Sequence, residues 1–118
     1  MLPIDKNLKN ELPTFFCDLT ALQPEERKQH HLTTEQLFGA IIQIEELSNG
    51  YAFHLPVEPD ILARAAEFIK YERLCCPFLS FALEVEPYGG PVRLKLTGPE
   101  GVKQFLLFEL NLENKIIL

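Results

Sequence analysis

Basic residues are scarce in this sequence and nowhere gathered. Eleven lysines and arginines stand against seventeen aspartates and glutamates, a net charge of −6. They are scattered from Lys6 to Lys115. No face offers enough positive charge to neutralise a run of phosphates, which argues against nucleic acid and against an anionic membrane surface as partners. Long apolar runs are missing too. No stretch approaches the roughly 18 apolar residues of a membrane span. The opening "MLPIDKNLKNELP" is interrupted by Asp5, Lys6, Lys9 and Glu11, so it does not read as a secretory leader. The expected location is the cytoplasm.

Several chemical signatures are also absent. There are three cysteines, Cys17, Cys75 and Cys76. An odd number cannot pair fully within one chain, and cytosolic thiols stay reduced. The C-x-x-C spacing of secure zinc sites does not occur. His30 and His31 are adjacent, so they point apart on a helix, and neither has a second histidine four residues on. The six glycines match no P-loop, dinucleotide fingerprint or nucleophile elbow. No repeat or low-complexity segment appears.

What is present suits one domain over residues 1–118. The apolar fraction is 47% and the charged fraction 24%, ordinary for a globular protein. A chain of this length buries roughly two-thirds of its unfolded surface. Residues 1–13 read as an irregular lead-in and 111–118 as a hydrophobic tail. "TFFCDLT" alternates, which predicts a strand over 14–20 with Phe15 and Cys17 on one face. Pro24 and two following glutamates open a helix. Leu37, Phe38, Ile41, Ile42 and Ile44 extend its pattern, so the helix is expected to reach Ser48 and stop at Asn49-Gly50.

A short strand follows at 51–55, with His54 pointing away from Tyr51 and Phe53. The next helix has a core stripe of Ile61, Leu62, Ala65, Phe68, Ile69 and a residue near Glu72 or Arg73. It closes around Cys75 because Pro77 disfavours helical geometry at Cys76. "FLSFALEVE" and "PVRLKLT" alternate cleanly and predict an antiparallel hairpin, with "PYGG" supplying positive φ angles. A last helix is expected over 99–110. The expected fold is α+β, a two-layer sandwich in the order β-α-β-α-β-β-α with helices on one face of a small sheet.

The adjacent cysteines have limited chemistry. Neighbouring Cα atoms are about 3.8 Å apart and unstrained disulfides want more than about 4.4 Å, so an internal Cys75–Cys76 bridge is strained. Both thiols sit at a helix C-terminus, where the dipole opposes negative charge. A metal brings its own positive charge and escapes that objection. Glu72, Cys75 and Cys76 share one side of the helix end, and Cys17 meets them if the first strand packs its apolar face inward. Two readings stand for the cysteines: small apolar core residues, or a soft ligand set for a metal or metalloid. Glu72 likewise reads as a solvated charge or as a hard ligand beside the thiols.

The segments "FCDLTALQPEER", "NGYAFHLP" and "ERLCCPFLSFALEVEPYGGPVRLKLTGPEG" together resemble a group of small, uncharacterised bacterial proteins and domains. That group carries a C-x-L strand, an arginine on the next helix and an E-x-x-C-C-x-[FW] motif. Some members resemble segments attached to heavy-metal-responsive regulators of the mercury-resistance type. The resemblance marks Cys17, Arg27, Glu72, Cys75, Cys76 and Phe78. It implies an α+β fold and contact with a metal or metalloid, and no established activity. The leading expectation is a soft-metal site built from Cys17, Cys75, Cys76 and Glu72. The rivals are a homodimeric interaction module, joined through the tail or a sheet edge, and a small-molecule enzyme using Glu72 and a cysteine.

Overall fold

Alternating side chains in this sequence build two hairpins, and the helices cover one side of them. The computed structural model describes residues 15–112. The expected lead-in over 1–13 and the terminal aliphatics of the tail lie outside those residues. A single 3-10 turn, Leu19–Ala21, precedes α1 (Pro24–Gly39), β1 (Gln43–Leu47), β2 (Gly50–Leu55), α2 (Ile61–Cys75), β3 (Ser80–Val85), β4 (Val92–Thr97) and α3 (Val102–Glu109). The strands form one antiparallel sheet in the order β1-β2-β4-β3. The α+β class read from the sequence holds, as does the hairpin β3–β4.

Two element assignments change. The expected strand over 14–20 does not form: residues 15–18 are irregular and lead into the 3-10 turn. The backbone there bonds to a helix end, with the Asp18 N–H donating to the Cys75 carbonyl at 3.0 Å. The alternation survives in the side chains, since Phe16 is exposed while Phe15 and Cys17 are half-buried. The expected long helix also stops early, at Gly39. Ile41, Ile42 and Ile44 are stiff, β-branched residues that suit a strand better than a helix. They lead into and through β1. Ser48-Asn49 is then a two-residue turn between β1 and β2, not a helix stop. The element order is therefore α-β-β-α-β-β-α after the opening turn.

Register explains the layers. Tyr51, Phe53 and Leu55 of β2 lie opposite Leu96, Leu94 and Val92 of β4, and all six are buried. The helices cover this face. Phe38 of α1 meets Phe53 edge-on at 5.0 Å, and Phe68 of α2 approaches Phe81 of β3 at 6.4 Å. Lys103 of α3 lies over the Tyr51 ring and also pairs with Glu46. Of the residues expected on apolar stripes, Ile42 and Leu62 are exposed; so is Val85, the last residue of an edge strand.

The other face is polar. Arg93 donates to Glu84 at 2.6 Å and to Glu45 at 2.9 and 3.1 Å, and His54 sits 3.1 Å from Glu45. One charged row thus crosses all four strands. The His54 hydrogen bond, then that of Arg93, holds the Glu45 carboxyl below the usual range. Gly50 lets β2 and β4 approach: a Cβ there would lie 2.0 Å from the Leu96 carbonyl oxygen. At the other hairpin, Tyr88 and Gly89 take φ of 59° and 68°, as the "PYGG" loop requires.

Candidate thiol and carboxylate site

The core stripe of α2 runs through Ile61, Ala65, Phe68, Glu72 and Cys75, steps of three and four residues. That spacing carries a carboxylate into the interior. Glu72 is 4% exposed, so the reading of it as a solvated charge is overturned. A buried carboxylate is costly unless it is hydrogen-bonded. Its partner comes from α1, where His30, Thr33, Leu37 and Phe38 form the buried stripe. His30 Nε2 lies 2.7 Å from Glu72 Oε1. The imidazole is stacked near Phe68, at 5.6 Å, and tilted against Tyr71, at 5.9 Å.

The other ring nitrogen of His30 is Nδ1, which is a donor or an acceptor according to the tautomer. That atom is buried and has no partner among the described residues. His30 is the residue that sequence reading missed. Its adjacency to His31 directed attention to a paired zinc motif, and indeed His31 is exposed, 3.3 Å from Glu35. The available signal was the stripe itself, since His30, Thr33 and Leu37 recur at helical spacing.

Cys76 follows the last residue of α2 with φ −124° and ψ 73°, off the helix as its proline neighbour demands. Its Sγ donates to Glu72 Oε2 at 3.4 Å, so the carboxylate holds the histidine with one oxygen and the thiol with the other. Cys17 arrives from the irregular segment. Two restraints place it: the Asp18–Cys75 backbone bond, and Phe15, whose ring lies 4.5 Å from Phe78 and 6.2 Å from Phe105. Phe78 in turn packs edge-on against Phe105 at 5.0 Å. The expected meeting of the opening segment with the end of α2 therefore occurs, through an aromatic anchor and not through a strand.

Cys17 Sγ, Cys76 Sγ and a Glu72 oxygen all lie within 4.8 Å of one another. Sulfurs bound about 2.3 Å from a tetrahedral zinc lie roughly 3.8 Å apart, so this separation suits a shared ion. Cys75 is fully buried beside the trio and outside it. All three cysteines are free thiols. Burial, then the charge of Cys17 and a hydrogen bond with it, pushes the Cys75 thiol up to about 12. The hydrogen bond with Cys17, then burial and the Glu72 charge, raises the Cys76 thiol further still. Both resting thiols are thus protonated, and a nearby cation reverses this preference.

Two members of the trio, Cys17 and Glu72, open onto a cavity of about 580 Å³. Cys17, His30 and Glu72 lie on its wall with Arg27, Phe38 and Leu110. Glu109, also on the wall, has its carboxyl raised by burial and by the Glu72 charge. His54 faces the opposite side of the sheet, as alternation indicated, and takes no part. No helix among the described residues is long and apolar enough to cross a membrane. Comparison with family models, curated proteins and solved structures returned no match.

Proposed function

We propose that the protein binds a soft metal or metalloid ion through Cys17, Cys76 and Glu72. The observation that carries this reading is the mutual approach of two thiols and a carboxylate within 4.8 Å, contributed by segments far apart in the chain. Two sulfurs select thiophilic ions, and the carboxylate adds a harder third donor. His30 orients Glu72 from behind, the usual second layer of a metal site. Three protein donors leave a coordination position for an incoming group, and two of them, Cys17 and Glu72, border the cavity. The resemblance carried by "E-x-x-C-C-P-F" points the same way. Cys75 is a buried neighbour in this reading, not a ligand.

The test is native mass spectrometry of the chelator-treated protein with mercuric ion, zinc or arsenite. Wild type and Cys75→Ser take up one ion per chain, and Cys17→Ser and Cys76→Ser do not. No adduct with any of the three, or an adduct kept by both Cys17→Ser and Cys76→Ser, overturns the reading.

The cavity around Glu72 favours one rival, an enzyme acting on a small molecule with Glu72 and Cys17 at its wall. Under that reading Cys17 reacts with iodoacetamide far faster than an ordinary thiol.

A further inference from the structure

The cavity is much larger than an ion needs. One water occupies about 30 Å³ of liquid, whereas small-molecule pockets run from about 300 to 1,000 Å³. At about 580 Å³ this one falls in the second class. Its wall is not neutral. Arg27, half-buried on α1, contributes a guanidinium that has no hydrogen bond or ion pair among the described residues. The two histidines on the wall are both engaged, His31 by Glu35 at 3.3 Å and His30 by Glu72 at 2.7 Å. An unpaired, part-buried guanidinium in a pocket is a fork for a carboxylate. Leu19, Phe38 and Leu110 supply apolar wall, and the carboxylates of Glu35 and Glu109 leave Arg27 as the place where an anionic group can seat.

We propose that the ion reaches this site as a complex with a small carboxylate-bearing thiol, which docks in the cavity with its carboxylate on Arg27. This rests on the ion-binding reading above and names the form in which the ion is delivered. The transfer is a ligand exchange. The Cys17 sulfur bonds to the ion as one carrier sulfur leaves it, and the Cys17 proton goes to that leaving thiolate. Cys76 displaces the second carrier in the same way, its proton passing through the Glu72 oxygen it already touches. Two protein thiols and an ion held by two carrier thiolates become a protein-bound ion and two neutral carrier thiols. No electron is gained or lost. Cys17 is the entry sulfur because it lies on the cavity wall, whereas Cys76 is fully buried.

The experiment presents mercuric ion in three forms to the full chain: as the chloride, as its bis-N-acetylcysteine complex and as its bis-cysteamine complex. Cysteamine lacks the carboxylate. Loading is followed by rapid desalting and mass spectrometry. The wild type is expected to load from the N-acetylcysteine complex at least about tenfold faster than from the cysteamine complex, the worth of one charge-assisted hydrogen bond. The net charge of −6 works against this order, since it repels the anionic carrier. Arg27→Gln is expected to abolish the preference. Equal rates, or a cysteamine advantage, with loading intact overturn the carrier proposal and leave ion binding standing. So does a preference that Arg27→Gln retains. Failure to load from all three forms overturns both.

Discussion

His30 and Glu72 depend on each other. Each is about 95% buried, and each supplies the other with a polar contact, Glu72 having Cys76 as well. Removing one partner of a buried pair strands the other and costs about 3–5 kcal/mol. His30→Ala is therefore expected to lower stability by that amount in urea titrations. Pairing it with Glu72→Gln should recover part of the loss in a double-mutant cycle. His30→Gln keeps a donor toward Glu72 but not the ring, and should weaken ion affinity by roughly 10- to 100-fold, as loss of an orienting group does.

The thiols give a pH signature to the metal-free protein. The folded state holds the protons of Cys75 and Cys76 to higher pH than an unfolded chain does. Above about pH 8.5 the unfolded chain releases them first, so it binds fewer protons than the native state and stability falls as pH rises. The contribution is complete below that pH and drains away towards about 12 for Cys75. Each such thiol adds a slope of about 1.4 kcal/mol per pH unit. Urea midpoints from pH 7 to 11 should therefore fall more steeply for wild type than for Cys75→Ala.

Among the elements, the irregular opening segment is the most exposed to perturbation. Phe15 holds Cys17 at the end of α2 through a tilted contact with Phe78 and an edge-on one with Phe105. Phe15→Ala is expected to cost about 2 kcal/mol, below the usual toll for a fully buried phenylalanine. It should reduce ion uptake in the same native spectra while leaving the sheet's circular dichroism unchanged. Gly50→Ala acts on the sheet instead. Its methyl group would collide with the Leu96 carbonyl, so the seam between β2 and β4 must open. A loss of about 3 kcal/mol or more, read from thermal melts, is expected from overpacking of this kind.

These elements also show what was legible in advance. Strong alternation with a turn between, as in β3–β4, leaves one reading. So does a proline-closed helix such as α2. The stretch after Gly39 was ambiguous because Ile41, Ile42 and Ile44 satisfy helical spacing and strand propensity alike. The choice was made by the empty edge of β2, a tertiary partner that local pattern cannot reveal. The segment around Cys17 failed in the opposite way: its side chains alternate, but no sheet edge receives its backbone. The cysteines and Glu72 were found because their spacing is chemical. His30 was not, because its role exists only across the gap between two helices.

At the scale of the molecule, the sheet order joins two local hairpins through a distant seam. β2 and β4 are paired on both sides, while β1 and β3 are edges. Native-state hydrogen exchange should therefore find the slowest amides in β2 and β4 and faster ones in β1 and β3. Equal protection across all four strands would contradict this arrangement.

The seam also orders events at the ribosome. Once residue 76 has been added, both sulfurs, the histidine and the glutamate exist, yet the strand that completes the sheet and the helix that anchors Phe15 do not. Translation at about 5–20 residues per second puts the end of β4 roughly 2–8 seconds behind the end of β2. Until β4 arrives, the hairpin β1–β2 carries an unpaired edge, and an open strand edge is a template for wrong partners.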